Sequence, residues 1–166
     1  MSYARGTEVS PEKSKAEIEG LLRKYGADQF VSGWADGHGE DGGRAVIGFR
    51  CKGRFVRFIL PLPSKSEKRF WKHRGSLYLQ VSDSSARDRW EQEVRRRWRA
   101  LALVVKAKLE AVESRITTFE SEFMAHIVMP DGRTVGEHVT PAIASAYETG
   151  KVAGLLPDFT GTEGSR

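Results

Sequence analysis

The strongest pattern in the chain is an apolar stripe with helical spacing over residues 84–113. Apolar side chains recur there at every third or fourth position, namely Trp90, Val94, Trp98, Leu101, Val105, Leu109 and Val112. This spacing aligns them on one side of an α-helix, whereas a strand would divide them between its two faces. Ser84 or Ser85 can cap the helix, and no glycine or proline interrupts it. At about 1.5 Å per residue the helix is roughly 45 Å long, so we expect the rest of the chain to pack along it.

A β-hairpin is predicted over residues 44–60. Lys52 and Gly53 can form its two-residue turn. Pairing across that turn gives a largely apolar face with the pairs Cys51 with Arg54, Phe49 with Val56, Ile47 with Phe58, and Ala45 with Leu60. The charged and aromatic residues of the other face are Arg44, Arg50, Phe55 and Arg57. Because side chains alternate between the faces of a strand, we expect one face in the core and the other to be basic.

The flanking segments predict further helices and strands. Ser10 and Pro11 are typical of a helix start, Gly26 of its end, and residues 27–34 of a first strand. After the hairpin, the pattern predicts a basic linker over residues 64–75, a short strand over 77–81, helices over 119–129 and 141–149, and a short element over 135–139.

Together these elements predict an α+β fold. It has an N-terminal helix, a small three-stranded antiparallel sheet, the long helix packed across that sheet, and a helical C-terminal subdomain. We expect one domain over residues 1–156, with the sheet and long helix in 11–113 and the helical subdomain in 114–156. Residues 157–166 are expected to be a disordered tail.

The composition is that of an ordinary globular protein, with 39% hydrophobic and 30% charged residues. The longest uncharged apolar run of the long helix, residues 100–105, is too short to cross a bilayer, and residues 1–15 lack the apolar core of a signal peptide. Cys51 is the single cysteine, which excludes an internal disulfide and a cysteine-based zinc knuckle. We expect a cytoplasmic protein without membrane contact, metal or cofactor.

Charge is distributed unevenly along the chain, whose net charge is +5. Residues 44–108 carry 18 basic and 5 acidic side chains, whereas residues 1–43 carry 5 basic and 8 acidic ones, and residues 109–166 carry 4 basic and 9 acidic ones. A cationic middle third between acidic flanks indicates a polyanionic partner.

The candidate site is therefore a nucleic-acid surface built from the hairpin, the linker and the long helix. Cations would bind phosphates, and aromatic rings would stack on exposed bases. The candidate residues are Arg44, Arg50, Arg54, Phe55, Arg57, Lys65, Lys68, Arg69, Trp71, Lys72, Arg74, Arg95, Arg96 and Arg99. The alternative is that the linker is a solvated loop and that the helix arginines pair with the acidic flanks. Trp90 and Trp98 lie on the apolar stripe and are expected in the core.

No catalytic motif is evident. His126, Asp131, Glu137 and His138 lie near one another in the sequence, but their spacing matches no metal-binding pattern, and no nucleophile elbow is present. We therefore predict a protein that is not an enzyme. An enzyme would need a cleft that gathers these four side chains.

Residues 98–157, which run from WRALALVVKAKLEAVE to GKVAGLLP, resemble an uncharacterised family of small phage and prophage proteins. The opening EVSPEKSKAEIEGLLRKYGADQF and the hairpin run FVRFILPLPS are similar to that family as well. Members are often encoded among phage replication and recombination genes. The resemblance implies a role in the bacterial host's cytoplasm and carries no catalytic residue over to this chain.

The leading hypothesis is a phage accessory protein that binds single-stranded DNA or a recombination or replication intermediate, with DNA favoured over RNA. The competing hypothesis is a protein-binding module that inhibits a host defence nuclease or docks on the phage replication machinery. Its partner would be a phage or host protein. A homodimer through the long helix is a further possibility, because its apolar stripe can exceed what the sheet covers.

Overall fold

A computed structural model describes residues 4, 6–37, 42–72, 80–152, 154 and 156. Its elements in chain order are α1 (Pro11–Lys24), β1 (Gln29–Ala35), β2 (Arg44–Cys51), β3 (Arg54–Pro61), α2 (Lys68–Trp71), α3 (Asp83–Glu113), α4 (Phe119–Phe123), a 3-10 helix (Met124–His126) and α5 (Val135–Thr149). The predicted α+β fold class is confirmed.

The sheet is antiparallel with the order β1-β2-β3. All four predicted core-face pairs of the hairpin are present, from Cys51 with Arg54 at the tip to Ala45 with Leu60. Lys52 and Gly53 both have positive φ, 49° and 72°, which suits a two-residue hairpin turn whose twist matches the strands. The first strand begins at Gln29 and ends at Ala35, slightly later than predicted.

The core lies between one face of the sheet and helices α1, α3 and α4. The helices contribute Ile18 and Leu22 from α1, Trp98, Leu101, Ala102, Val105 and Leu109 from α3, and Phe119 and Phe123 from α4. Phe123 contacts two sheet residues edge-to-face, with ring centroids 5.8 Å from Phe49 and 6.3 Å from Phe58. The aromatic cluster joins the C-terminal segment to the sheet.

The long helix α3 is capped by Ser82, whose Oγ accepts from the Ser85 backbone N–H, so neither Ser84 nor Ser85 is the cap. The predicted stripe is buried from Trp98 to Leu109, whereas Trp90, Val94 and Val112 are half-buried, so the chain covers most of the surface expected to form a dimer. That dimer stays a prediction. Among the described residues, no helix is long and apolar enough to cross a membrane.

The C-terminal segment differs from the prediction in two places. The predicted helix over 119–129 ends at Phe123 and continues as the 3-10 helix, because Ile127 and Val128 pair with the edge of β3, where the Val128 N–H donates to the Phe55 carbonyl (2.8 Å). The two elements predicted over 135–139 and 141–149 are one helix, α5. Pro141 has no N–H for the Glu137 carbonyl, and Arg133 donates to that carbonyl instead (2.7 Å).

The two ends of α5 follow the expected capping rules. Thr134 and Glu137 form a capping box at the start, and Gly150 ends the helix in the left-handed conformation (φ 69°). Two predicted segments lie wholly or mainly outside the described residues: the tail 157–166 and the strand over 77–81. Of that strand, Gln80 is described and forms a bridge with Lys72. Residues 38–41, in the middle of the glycine-rich segment 36–43 of the sequence, lie outside the described residues as well.

Cys51 is buried in the core, and burial raises the pKa of its thiol. Only the thiolate reacts readily with alkylating reagents. We therefore expect Cys51 to resist alkylation in the native protein at neutral pH and to react fully in denaturant. Mass spectrometry after timed alkylation measures this, and rapid labelling of the native chain would contradict the burial.

Candidate functional site

A cleft beside the N-terminal part of α3 brings together three tryptophans and two basic side chains. Two adjoining cavities, of about 550 Å³ and about 270 Å³, share Lys65 and Trp90 as lining residues. The larger cavity is also lined by Trp34, at the end of β1. The smaller cavity is also lined by Trp71 of α2 and Arg87 of α3. We call this site the tryptophan cleft, defined by Trp34, Lys65, Trp71, Arg87 and Trp90.

Two of the three tryptophans are held by backbone carbonyls of the segment between β3 and α2. The Trp90 indole N–H donates to the Pro63 carbonyl (2.8 Å), and the Trp71 indole N–H donates to the Lys65 carbonyl (2.7 Å). Both rings therefore have fixed positions, and their remaining interactions are made by their faces and edges. Trp34 is different, because 71% of its surface is exposed.

The segment that carries these carbonyls is itself well anchored. Pro63 and Ser64 are buried, and the Ser64 backbone N–H donates to the Glu67 carboxylate (3.0 Å). After α2, the Arg89 guanidinium donates to the Lys72 carbonyl (2.9 Å), which attaches the short helix to α3. The cleft is thus supported by elements that are distant in sequence.

The charged side chains that line the cleft are those of Lys65, Arg87, Asp36 and Asp83. The Lys65 ammonium lies 4.8 Å from the centre of the Trp90 ring, a cation–π contact. Arg87 is exposed and has no ion pair within the described part of the chain. Asp83 lines the smaller cavity and Asp36 the larger one. Lys68, one residue before Arg69 on α2, is also exposed and unpaired among the described residues.

The structure divides the predicted nucleic-acid residues into engaged and available groups. Most of the arginines are engaged in ion pairs, namely Arg50 with Asp28, Arg57 with Glu137, Arg69 with Glu67, Arg95 with Glu91, Arg96 with Glu93, and Arg99 with Glu17. The expected alternative, in which helix arginines pair with acidic flanks, thus applies to Arg99. Arg95, Arg96 and Arg97 pair within α3, with Glu91 or Glu93.

Two hairpin arginines, Arg50 and Arg57, each donate two hydrogen bonds within the chain. The Arg50 guanidinium donates to both carboxylate oxygens of Asp28 (2.9 and 3.1 Å), and this hydrogen bonding lowers the pKa of that carboxyl group. Arg57 donates to the Gly132 carbonyl (2.9 Å) and to Glu137 (2.8 Å), which fastens the start of α5 to the sheet. A phosphate at either arginine would compete with a carboxylate already in place.

The remaining predicted residues have different surroundings. Arg44 is exposed at the start of β2, and Arg54 is exposed at the hairpin tip. Phe55 is half-buried across Gly48, where an added Cβ would lie 2.7 Å from its Cζ atom, so its ring is a packing group. Lys72 is half-buried beside Gln80. Arg74 lies outside the described residues.

The cleft includes two tryptophans that the sequence does not assign to a site. Trp90 is predicted in the core, but it is only half-buried, because the sheet ends before this part of α3 and the Pro63–Lys65 segment contacts the ring instead. Trp34 is predicted only as the end of a strand. Its position two residues before the glycine-rich segment 36–43 is a sequence signal that could have marked it.

Glu93 is the centre of an ion-pair cluster beside the cleft. Its side chain is 11% exposed and accepts from Arg96 (2.7 Å) and Arg97 (3.1 Å), with Arg69 at 3.8 Å. These contacts, the hydrogen bond from Arg96 first, lower the pKa of the carboxyl group. A lowered folded-state pKa means that the carboxylate stabilises the fold at neutral pH and that this stabilisation is lost as the pH falls through the folded-state value.

Replacing Glu93 with glutamine is expected to lower the free energy of unfolding at neutral pH by about 1–2 kcal/mol, since hydrogen bonds to a charged group are lost and the arginines are partly exposed. The difference from the wild-type chain should shrink below about pH 4, where carboxylates protonate. Urea unfolding at both pH values measures it. Glu91→Gln is the matched control, because Glu91 is 46% exposed and lies 3.7 Å from Arg95. An equal loss in both variants would contradict a special role for Glu93.

The four side chains of the enzyme alternative are not gathered in one cleft. His126 stacks on Phe58 (4.0 Å between ring centres), and burial lowers its pKa. Glu137 is bound to Arg57 and Thr134, while His138 contacts Asp131 (2.9 Å). Within the described residues, no three histidine, cysteine or acidic side chains lie close enough together to hold a metal ion.

Comparison of the chain with models of protein families, with curated proteins and with solved structures finds no match.

Proposed function

We propose that the chain binds single-stranded nucleic acid in the tryptophan cleft, with DNA favoured over RNA, as an accessory protein of phage replication or recombination. The observation that carries the proposal is the combination of exposed tryptophan surface with cations that have no ion pair among the described residues. Proteins that bind single strands combine stacking platforms with a positive groove in this way. The phage setting and the preference for DNA rest on the family resemblance of residues 98–157.

Because some of the predicted cations are held in ion pairs, the proposal uses only part of the predicted surface. Arg50 and Arg57 of the hairpin are paired, whereas Lys65, Lys68 and Arg87 are available beside Trp34, Trp71 and Trp90. We therefore place the nucleic acid along the linker and the N-terminal part of α3. The exposed hairpin residues Arg44 and Arg54 would contact the nucleic acid only where it extends beyond the cleft.

The test is a titration against single-stranded DNA, duplex DNA and RNA at two ionic strengths. Single-stranded DNA should bind most tightly, and its affinity should fall as salt is added, because phosphate contacts release counterions. Lys65→Gln with Arg87→Gln should weaken binding and reduce the slope of log affinity against log salt by roughly 1.4, about 0.7 for each phosphate that is no longer neutralised.

Two control variants sharpen this experiment. Lys13→Gln with Lys106→Gln removes the same charge from exposed positions outside the cleft and should leave the slope almost unchanged. Arg50→Ala with Arg57→Ala should weaken binding less than the cleft variant, because both arginines already contact carboxylates. Binding that is absent, or that does not respond to salt, would overturn the proposal.

The protein-binding alternative is favoured by one feature of the same cleft. Tryptophan and arginine dominate the energetics of protein interfaces, and Trp34 and Arg87 are both exposed here. A pull-down from host lysate after nuclease digestion separates the two functions. A phage or host protein that is retained after digestion, and released by Trp34→Ala, would favour the alternative.

A further inference from the structure

Helix α5 lies on the molecule with little of its surface covered. None of its fifteen residues is buried, and its main packing partner is the short 3-10 helix before it. A helix of this length is marginally stable in water unless one face packs against something. Tyr147 is 90% exposed and Ile143 is 46% exposed. The helix therefore presents apolar surface that the described residues do not cover.

Five apolar residues of α5 form one stripe, in which Ile143 and Tyr147 are exposed and the other three are half-buried. Val139, Ala142, Ile143, Ala146 and Tyr147 are spaced by threes and fours, which places them on the same side of the helix. This is the pattern of a helix that packs against a partner surface. Beyond Gly150, Val152 is exposed as well (81%).

The outer face of the sheet, opposite α1 and α3, is a second apolar surface, part of which the described residues leave exposed. Its central residues are Val31, Val46 and Ile59, of which Val31 is 54% exposed and Ile59 47%. Above Gly33, in the same row as Val46 and Ile59, there is open space. A groove of about 670 Å³ runs from Ile59 to the first turns of α5.

The charges of these two surfaces are complementary. The charged residues of α5 other than histidine are Glu137 and Glu148, whereas those of the outer sheet face are Arg44, Arg50 and Arg57. Glu137 already pairs with Arg57 of the same chain (2.8 Å) and Arg50 with Asp28 (2.9 Å), so the charges left for contacts between copies are those of Arg44 and Glu148. Arg44 and Glu148 have no ion pair among the described residues.

We propose that α5 of each chain packs across the outer sheet face of a second copy of this chain. Within the described part of one chain, the Arg57–Glu137 pair and the close contact of Gly136 with Ala125 hold the first turn of α5, and each of the two surfaces keeps exposed apolar side chains. A twofold arrangement covers both surfaces at once, because each copy supplies one helix and one sheet face. It also brings the acidic helix to the basic face.

Analytical ultracentrifugation of the full chain tests this proposal. The wild-type protein is expected at twice its monomer mass of 18.6 kDa. Ile143→Glu with Tyr147→Glu should give a monomer, and so should Val31→Glu, while circular dichroism confirms that these exposed substitutions leave the fold intact. Ile116→Glu is the control, because Ile116 is 79% exposed and belongs to neither surface. A wild-type monomer would overturn the proposal.

A mixed cross-linking experiment tests the geometry. Ala146→Cys and Val31→Cys chains, mixed and then oxidised, should form a disulfide between unlike chains, since the proposed contact places helix against sheet. The wild-type chain controls for Cys51, which is buried. A dimer that Val104→Glu on α3 separates, and that the α5 variant does not, would overturn the proposal in favour of contact through the long helix.

Discussion

Replacing Trp34 with alanine is expected to weaken the binding of single-stranded DNA by about 1–3 kcal/mol, which is roughly a 5- to 150-fold rise in dissociation constant. The side chain is 71% exposed at the end of β1, so its loss removes a stacking platform without opening a hole in the core. Fluorescence anisotropy with a labelled oligonucleotide at low salt measures the change.

The controls separate stacking from other effects. Trp34→Phe keeps an aromatic face and should recover most of the affinity, whereas Ile116→Ala, at another exposed apolar position, should not alter binding. The melting temperature of each variant should stay close to that of the wild-type chain. If Trp34→Ala bound single-stranded DNA with unchanged affinity, Trp34 would not be part of the binding surface.

The largest effect on stability is expected from Phe123→Ala. Phe123 is fully buried, and its ring contacts Phe49, Phe58 and Phe119. Truncating a buried phenylalanine removes its transfer free energy and leaves a cavity, which together lower the free energy of unfolding by about 3–5 kcal/mol. For a domain with a total stability of about 5–15 kcal/mol, that is a large fraction.

Urea unfolding followed by circular dichroism measures this loss, and the neighbouring residue provides the control. Met124 is adjacent in sequence but 52% exposed, so Met124→Ala should change stability by less than about 0.5 kcal/mol. If Phe123→Ala were equally mild, the aromatic cluster would not be what joins the C-terminal segment to the sheet.

The sheet and the long helix are predictable because their signals are local. A two-residue turn fixes the register of a hairpin, so locating Lys52 and Gly53 is enough to obtain every pair of β2 with β3. The stripe on α3 likewise identifies the buried side of the helix. It does not show how far the sheet extends along that helix, which is why the pattern places Trp90 in the core.

The candidate site is less predictable because its electrostatics depend on contacts between distant residues. Arg57 and Arg99 pair with Glu137 and Glu17, about eighty residues away in each case, and no local pattern indicates such partners. The sequence correctly shows that the middle third of the chain has an excess of basic residues. The fold, however, brings acidic residues from both flanks to some of those charges, and the sequence alone does not reveal which cations remain available.

The two tethered indoles also limit what the cleft can distinguish. Because the N–H groups of Trp71 and Trp90 already donate to backbone carbonyls, neither indole can donate a hydrogen bond to the edge of a bound ring. Flat ligands would be held through their stacking area and polarisability, which favours a purine over a pyrimidine but does not distinguish rings of similar size. Any discrimination among them would come from the Asp36 and Asp83 carboxylates, which accept hydrogen bonds and therefore favour rings that bear an amino group.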